Sequence, residues 1–517
     1  MESCNILWID DEVDSLKSHI LFLESKGFVV STVTNGYDAL DILKNSFYDI
    51  IFLDENMPGL SGLDTLSKLK EITNSPVIMI TKNEQEQIME EAIGSKISDY
   101  LIKPVNPHQI LLTIKKNLES HQLVTNKTNA DYQREFLAIG SMISRVSNFS
   151  DWVEIYKKII YWELELDSLE EKNMLEILLN QKKEANSQFF KYIQSNYSNL
   201  LTLSNSETDL TLSHNLFKRH IVPEFANNKP VFLILIDNLR FDQWKVIRPL
   251  LDAYFSIQEN TYCSILPTAT QYSRNSIFSG LMPNEIKQKF PDLWLDDTDE
   301  GGKNLYEKEL LISQLAYFSC SQNISFNKVF NVDHGRKMLD KFNEFLNKSL
   351  NVIIYNFVDI LSHAKTDMRM IKELANDEKS YRDLTLTWFK NSPLFELLKK
   401  ISMIDATVFI TSDHGTINVN EPSKVVGEKS ISTNLRYKTG RKIKFNNRDV
   451  LHINNPEEFA LPKTNMTSSY IFAGPNKYFV YPNNYNHYAH HYINTYQHGG
   501  ISMEEMIIPI ISLKKKK

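Results

Sequence analysis

Short apolar runs alternate with segments of helical periodicity through the first 120 residues, and this pattern restricts the fold more than any other feature. The runs cover residues 6–9, 29–32, 50–53, 77–80 and, more weakly, 99–102. Strands that alternate with helices are typical of a doubly wound α/β fold with a parallel sheet. We therefore predict an α/β domain over residues 1–120, with its functional residues at the carboxyl ends of the strands.

A helical segment follows this domain. Between Pro107 and Pro223 the only glycine or proline is Gly140, and apolar residues recur at helical spacing. A chain of 517 residues is also too long for one ordinary core. We predict a helical bundle over residues 121–205, which acts either as a spacer or in dimerisation and signal transmission.

Strand-like runs return in the C-terminal part, and each is followed by or ends near acidic residues. These runs are residues 231–236, 352–357 and 408–411. Helical segments separate them, so residues 206–517 are predicted to form a second and larger α/β/α domain.

Composition excludes several classes of protein. Lys and Arg number 57 against 64 Asp and Glu, and the net charge of −7 has the wrong sign for coating nucleic acid. Nothing after residue 120 resembles a basic helix-turn-helix, which disfavours a DNA-binding regulator. The three cysteines are scattered and form no disulfide framework or CxxC motif, which indicates a reducing cytoplasm. No run approaches the roughly 18 apolar residues of a membrane span.

Polar residues stand at the ends of the N-terminal strands. Asp10 and Asp11 follow the first strand and Asp54 ends the third. Converging carboxylates repel one another unless a cation binds between them, and Mg²⁺ suits carboxylates, carbonyls and water. Thr81 ends the fourth strand and Lys103 follows the fifth, where a hydroxyl and an ammonium could bind a phosphoryl group.

This set of residues resembles the bacterial receiver (CheY-like) family. The resemblance implies that a sensor histidine kinase phosphorylates Asp54. It also implies that Asp11 and Asp54 bind Mg²⁺ directly, Asp10 through water, and the Asn56 carbonyl as a further ligand. Tyr100 lies where the family has its switch aromatic residue.

A second set of metal-capable residues ends or follows strands in the C-terminal part. It consists of Asp237, Asp359, His363, Asp413, His414 and His498. Asp359 and His363 are four residues apart, so a helix would place both on one face. Imidazole together with carboxylate suits Zn²⁺ or Mn²⁺ better than Ca²⁺.

Other residues compete for these roles. A second Asp-His-Gly stretch at Asp333 follows a poorer strand and is interpreted as a decoy. His487, His490 and His491 lie in a stretch rich in Tyr and Asn, and any of them could replace His498. The two glycines that follow His498 favour His498.

The hydroxyl nucleophile also has more than one candidate. The stretch LPTATQYSR provides Thr268, Thr270 and Ser273 near a predicted helix start, whose amides could bind a phosphate. In the same stretch, Arg274 could pair with a phosphate oxygen or form a structural salt bridge.

The ordered pattern of an Asp after a strand, PTAT, Asp-x-x-x-His, Asp-His-Gly and His-Gly-Gly resembles the alkaline phosphatase superfamily, and more narrowly its PglZ branch. The resemblance implies a two-zinc esterase in which Thr270 attacks phosphorus and a phosphothreonine intermediate is then hydrolysed. One implied ion is bound by Asp237, Thr270, Asp413 and His414, and the other by Asp359, His363 and His498. The sulfatase motif of this superfamily is missing. Because a threonine nucleophile is typical of the superfamily's nucleotide phosphodiesterases, the resemblance implies phosphodiesters of nucleotides or oligonucleotides as substrates.

The complete domain order resembles the PorX family of response regulators, which are tied to type IX secretion and gliding. This resemblance implies a PorY-like histidine kinase, an extracytoplasmic-function sigma factor and a secretion motor protein as partners. It also implies a homodimer favoured by phosphorylation. An alternative is a catalytically weak, metal-stabilised adaptor that only binds partners.

Overall fold

The computed structural model describes residues 4–44, 46–82, 97–169, 172–204, 210–227, 229–320, 323–428, 432–463, 465 and 467–516. The chain divides into two compact units, Met1–Arg134 and Glu135–Lys517. The predicted boundary between the linker and the C-terminal domain, at residues 205 and 206, lies outside the described residues.

The first unit contains a five-stranded parallel sheet in the order β2-β1-β3-β4-β5. The strands are β1 (Asn5–Ile9), β2 (Val29–Val33), β3 (Ile50–Asp54), β4 (Val77–Thr81) and β5 (Asp99–Ile102), and the helices beside them are α1 (Lys17–Ser25), α2 (Gly36–Leu43) and α3 (Gly62–Ile72). Both faces of the central strands are buried, because α2 and α3 cover one face and α1 the other. The predicted doubly wound fold is confirmed.

Three long helices follow: α4 (Pro107–Arg145), α5 (Phe149–Ser168) and α6 (Lys172–Ser204). A capping box formed by Asn148 and Asp151 begins α5. The rings of Trp152 and Phe189 pack edge to face between α5 and α6, with centroids 5.5 Å apart. The predicted helical linker is confirmed.

The second unit is built on a six-stranded sheet in the order β7-β18-β10-β6-β9-β8. Its strands are β6 (Val231–Ile236), β7 (Phe255–Cys263), β8 (Ile324–Val329), β9 (Leu350–Tyr355), β10 (Thr407–Thr411) and β18 (Ile507–Lys515). Strand β18 runs antiparallel to the other five strands of this sheet. The three predicted strands are the parallel centre, β10-β6-β9, so their carboxyl ends lie side by side.

Helices and small sheets surround this sheet. The helices are α7 (Phe241–Ile247), α8 (Thr270–Ser279), α9 (Pro283–Lys289), α10 (Glu307–Tyr317), α11 (Val332–Asp340), α12 (Phe342–Leu346), α13 (Phe357–Asp367), α14 (Arg369–Leu374), α15 (Glu378–Asn391), α16 (Pro393–Ser402), α17 (Tyr485–Tyr492) and α18 (Met503–Met506). The small sheets are β11 (Ile417–Val419) with β17 (Thr495–Gln497), β12 (Glu421–Lys424) with β16 (Lys477–Val480), and β15 (Ser469–Ala473) between β13 (Tyr437–Gly440) and β14 (Val450–Ile453).

One predicted strand is too long. The run 352–357 was predicted to be extended throughout, but β9 ends at Tyr355 and Phe357 begins α13. The apolar side chain of Phe357 does not belong to the sheet. Its ring stacks on Trp388, with centroids 4.5 Å apart. No helix in the described part of the chain is long and apolar enough to span a membrane.

Candidate functional site

The receiver carboxylates come together at the carboxyl edge of the first sheet. Asp10, Asp11 and Asp54 offer oxygens that lie within 4.8 Å of one another. The Lys103 ammonium lies 2.7 Å from Asp54 Oδ1 and 2.9 Å from Asp10 Oδ2. Burial raises the pKa of Asp54 above its usual value, although Lys103 opposes this shift. A cation at this edge would relieve the carboxylate repulsion.

The remaining receiver residues lie around this cluster with different surroundings. Thr81 ends β4, and its hydroxyl donates a hydrogen bond to the buried carboxylate of Glu55, a contact that the sequence did not predict. Asn56 is exposed just after β3. Tyr100 lies on β5 with 40% of its surface exposed.

The six C-terminal metal candidates come together as two groups of three. The inner metal group is Asp237, Asp413 and His414, and the outer metal group is Asp359, His363 and His498; within each group the ligand atoms lie within 4.8 Å of one another. The inner metal group is buried, whereas the His363 side chain is 60% exposed. The rings of His414 and His498 stack with centroids 4.2 Å apart, so the two groups are adjacent.

The order of the strands explains this convergence. Asp237 directly follows β6, Asp413 follows β10, and Asp359 lies in the first turn of the helix after β9. These three strands are neighbours in the sheet, so their acidic residues meet at one edge. His363 lies one helical turn beyond Asp359, and His498 comes directly after β17, which pairs with β11 just beyond His414.

Of the three candidate hydroxyls, Thr270 lies beside the inner metal group. It is the first residue of α8, and its Oγ1 is 3.1 Å from His414 Nε2. Thr268 has a structural role, because its Oγ1 donates to the Gly500 carbonyl at 2.9 Å and accepts from the Gly499 amide at 3.0 Å. Ser273 is buried, and its Oγ accepts a hydrogen bond from Ser264 Oγ at 3.1 Å.

The histidine hydrogen bonds define tautomers that suit metal binding. His414 Nδ1 lies 3.1 Å from the Gly415 carbonyl, and His498 Nδ1 lies 3.2 Å from the Thr268 carbonyl. Because a carbonyl can only accept, each Nδ1 carries a proton, and in the neutral ring the lone pair is on Nε2. This arrangement is usual for histidines that bind a metal through Nε2.

The two carboxylates of the inner metal group, Asp237 and Asp413, share one arginine, Arg274, which cannot neutralise both negative charges. Asp237 Oδ1 is buried and has no hydrogen-bond partner among the described residues. Burial raises the pKa of Asp237 well above its usual value in spite of Arg274, and the carboxylates of Asp413 and Asp359 add to the shift. The side chains therefore fit a bound divalent cation.

Two roles were predicted for Arg274, a contact with a phosphate oxygen and a structural salt bridge, and its contacts are those of a salt bridge. Its guanidinium contacts Asp237 Oδ2, lies 2.9 Å from Asp413 Oδ2 and lies 3.8 Å from Glu307 Oε1. Burial opposes ionisation of Asp413, but Arg274 and His414 outweigh it and hold the pKa of Asp413 at about 2. The structure thus favours the buried salt bridge over a contact with substrate.

The competing residues lie elsewhere. His334, in the second Asp-His-Gly stretch, lies on α11, and the three histidines His487, His490 and His491 lie on α17. None of them belongs to a three-residue metal group in the described part of the chain.

Sequence reasoning missed Asn238. Its backbone has a φ of 68°, in the left-handed region that asparagine tolerates. Its Nδ2 lies 3.4 Å from Asp359 Oδ1 and 3.2 Å from Ser362 Oγ, so it joins the end of β6 to the outer metal group. The sequence feature that could have identified Asn238 is its position directly after an Asp at the end of a strand.

Comparison with protein families agrees with this geometry. Residues 6–115 match the response regulator receiver domain, and residues 122–201 match the PorX response regulator linker domain. Residues 216–513, more than half of the chain, match the BREX system PglZ alkaline phosphatase-like domain. The chain belongs to the PglZ family. With the receiver and linker before it, the PglZ domain makes this chain a PorX-like response regulator.

Individual relatives of this PorX-like chain cover about a quarter of its length. The transcriptional regulatory protein SrrA of Staphylococcus aureus is 29% identical over 135 residues, which are 26% of this chain and 56% of SrrA. The chain thus spans about half the length of that relative. A receiver domain from Clostridium thermocellum is 31% identical over 23% of this chain and 98% of that chain, with a TM-score of 0.22. A receiver domain from Methanospirillum hungatei is 26% identical over 23% of this chain and 96% of that chain, with a TM-score of 0.23.

Proposed function

We propose that this response regulator is a two-metal phosphoesterase that cleaves phosphodiesters of nucleotides or oligonucleotides and is controlled by phosphorylation of Asp54. The proposal rests on one observation above the others: the Thr270 hydroxyl lies 3.1 Å from His414 Nε2, beside the inner metal group. A nucleophile and two adjacent groups of metal ligands are the parts that phosphoryl transfer requires.

The ligand sets favour zinc, with manganese as the next choice, because imidazole and carboxylate are combined in both groups. The inner metal group together with Thr270 would bind one ion, and the outer metal group the other. When bound, such ions lower the pKa of coordinated hydroxyls and stabilise negative charge on phosphoryl oxygens.

The chain's own residues supply the remaining requirements. Thr270 stands at the start of α8, and the N-terminus of a helix favours an anionic phosphate. Its Oγ1 is the group proposed to attack phosphorus. Arg274 holds Asp237 and Asp413 in place behind it. The exposure of His363 leaves the outer metal group open on the side from which substrate would enter.

Activity measured with and without metal tests this function. The full-length protein is stripped with a chelator, reloaded with zinc or manganese, and assayed with bis(p-nitrophenyl) phosphate, p-nitrophenyl phosphate and p-nitrophenyl sulfate. We expect hydrolysis of the diester to exceed that of the other two, to disappear on chelation and to return with metal. No hydrolysis of any ester by protein that has bound two ions would favour the adaptor instead.

The receiver proposal rests on the cluster around Asp54, which would bind Mg²⁺ together with Asp10, Asp11 and the Asn56 carbonyl. The phosphoryl group would come from a sensor histidine kinase and contact Thr81 and Lys103. PorX-like domain order supports a PorY-like kinase in the cytoplasm, a sigma factor and a secretion motor protein as partners, a phosphorylation-favoured homodimer, and a role in type IX secretion.

Replacing the acceptor tests the receiver directly. We expect Asp54→Asn to abolish labelling by acetyl phosphate and Mg²⁺, read on a phosphate-affinity gel, because an amide cannot form the acyl phosphate. Asp41→Asn, a matched change at a carboxylate that is 76% exposed on α2, should be labelled like wild type. Persistent labelling of Asp54→Asn would show that the acceptor lies elsewhere.

A further inference from the structure

Two consecutive buried glutamates connect the helical linker to the metal centre. Glu504 and Glu505 lie on the short helix α18, a few residues after His498. Glu504 contacts linker helix α6: its Oε2 accepts from Asn186 Nδ2 at 3.0 Å, and its Oε1 lies 3.3 Å from Lys182 Nζ. All four side chains are at least nine-tenths buried.

Glu505 contacts the loop that carries His498. Its Oε1 accepts from the Gly500 amide at 2.9 Å, and its carboxylate pairs with Arg436 Nη2 at 2.6 Å. Ser502 also donates to it, at 2.7 Å. Glu505 therefore holds the backbone two residues from His498 in place.

The backbone of α18 also contacts the segment after His414. The Gly415 amide donates to the Glu505 carbonyl at 3.2 Å. A Cβ added at Gly415 would lie 2.0 Å from the Glu504 carbonyl oxygen, so the two backbones touch. One turn of helix thus supports both His414 and His498.

Linker helix α6 is anchored to this turn by more than one bond. Asn186 Oδ1 accepts from the Met503 amide at 2.8 Å, at the start of α18. Lys182 also pairs with Glu163 of α5 at 2.9 Å. Because Lys182 bridges Glu163 and Glu504, the position of α18 depends on two linker helices.

We propose that Asn186 and Lys182 of the linker are positioning residues for the metal centre, acting through Glu504 and α18 on His414 and His498. This inference rests on the proposed metal centre but not on its catalytic chemistry. Partners that orient metal ligands change metal affinity by about 10- to 100-fold when removed. A displacement of the linker would therefore alter metal binding.

Zinc affinity is the measurement, made on the full chain by competition with a chromophoric chelator. We expect Asn186→Asp to weaken zinc binding by about tenfold or more, because a carboxylate there repels Glu504. The matched control is Gln181→Glu on the same helix, whose buried side-chain amide donates to the Phe136 carbonyl at 2.8 Å instead of to Glu504. The control should bind zinc within about threefold of wild type.

Hydrogen exchange gives a second readout. We expect Asn186→Asp, but not Gln181→Glu, to speed amide exchange in residues 498–506. If Asn186→Asp does not fold, Asn186→Leu removes both hydrogen bonds without adding a charge and should weaken zinc binding in the same direction. If a folded Asn186 variant bound zinc with wild-type affinity and showed wild-type amide exchange in residues 498–506, the inference would be overturned. Failure of the wild type itself to bind zinc would instead overturn the proposed metal centre.

Discussion

Thr270→Val should lower phosphodiester turnover by about a thousandfold or more, because valine keeps the shape of threonine but has no hydroxyl to attack phosphorus. Its Oγ1 is the hydroxyl that lies 3.1 Å from His414 Nε2. Zinc should remain bound, since the three protein ligands of the inner metal group are unchanged. The measurement is kcat on bis(p-nitrophenyl) phosphate together with zinc content.

Thr268→Val is the control that separates loss of the nucleophile from loss of a structural hydrogen bond. Thr268 holds the Gly499 amide and the Gly500 carbonyl, so its loss should weaken zinc binding more than it lowers kcat at saturating zinc. If Thr270→Val kept wild-type turnover, another nucleophile would have to act and the threonine mechanism would be wrong.

Arg274→Met should strongly destabilise the metal-free second unit. The guanidinium is buried between Asp237, Asp413 and Glu307. Its removal leaves Asp237 and Asp413 without the cation that pairs with both, whereas Glu307 keeps its ion pair with Lys328. Breaking a buried pair in this way costs about 3–5 kcal/mol. Zinc should recover much of this loss, because ions at Asp237 and Asp413 balance the same charge.

This effect is measured as the free energy of unfolding of wild type and Arg274→Met, by heat and by urea, in the presence of chelator and in the presence of zinc. The control is Arg336→Met, whose side chain is 72% exposed beside Asp333 and whose loss should cost no more than about 1 kcal/mol in either condition. Equal destabilisation of Arg274→Met with and without zinc would show that the buried carboxylates do not bind the ion.

The receiver strands and the parallel centre of the second sheet could be predicted because they are short apolar runs. Strands β7, β8 and β18 of the second sheet were not predicted, and β18 shows the limit of that pattern most clearly. Strand β18 lies between β7 and β10, yet it was not predicted. It contains Pro509 and ends in lysines, and proline is unusual in an interior strand. The Pro509 carbonyl accepts from Thr411 Oγ1 at 2.8 Å, a contact that no local pattern reveals.

The ligand residues could be predicted for a related reason. In an open α/β sheet the acidic residues after neighbouring parallel strands must meet, so Asp237 and Asp413 were expected to lie together. The choice of Thr270 over Thr268 and the burial of Arg274 depend on loop geometry and on partners far away in the sequence. Contacts such as Asn186 with Glu504, 318 residues apart, have no local signature.

Anomalous diffraction at the zinc edge, from crystals of the full-length protein grown with saturating zinc, tests the central claim most directly. We predict two strong peaks per chain in the C-terminal domain, one bound by the inner metal group beside Thr270 and one by the outer metal group. A single peak, peaks at other residues, or no peak at these two groups would contradict the two-metal centre.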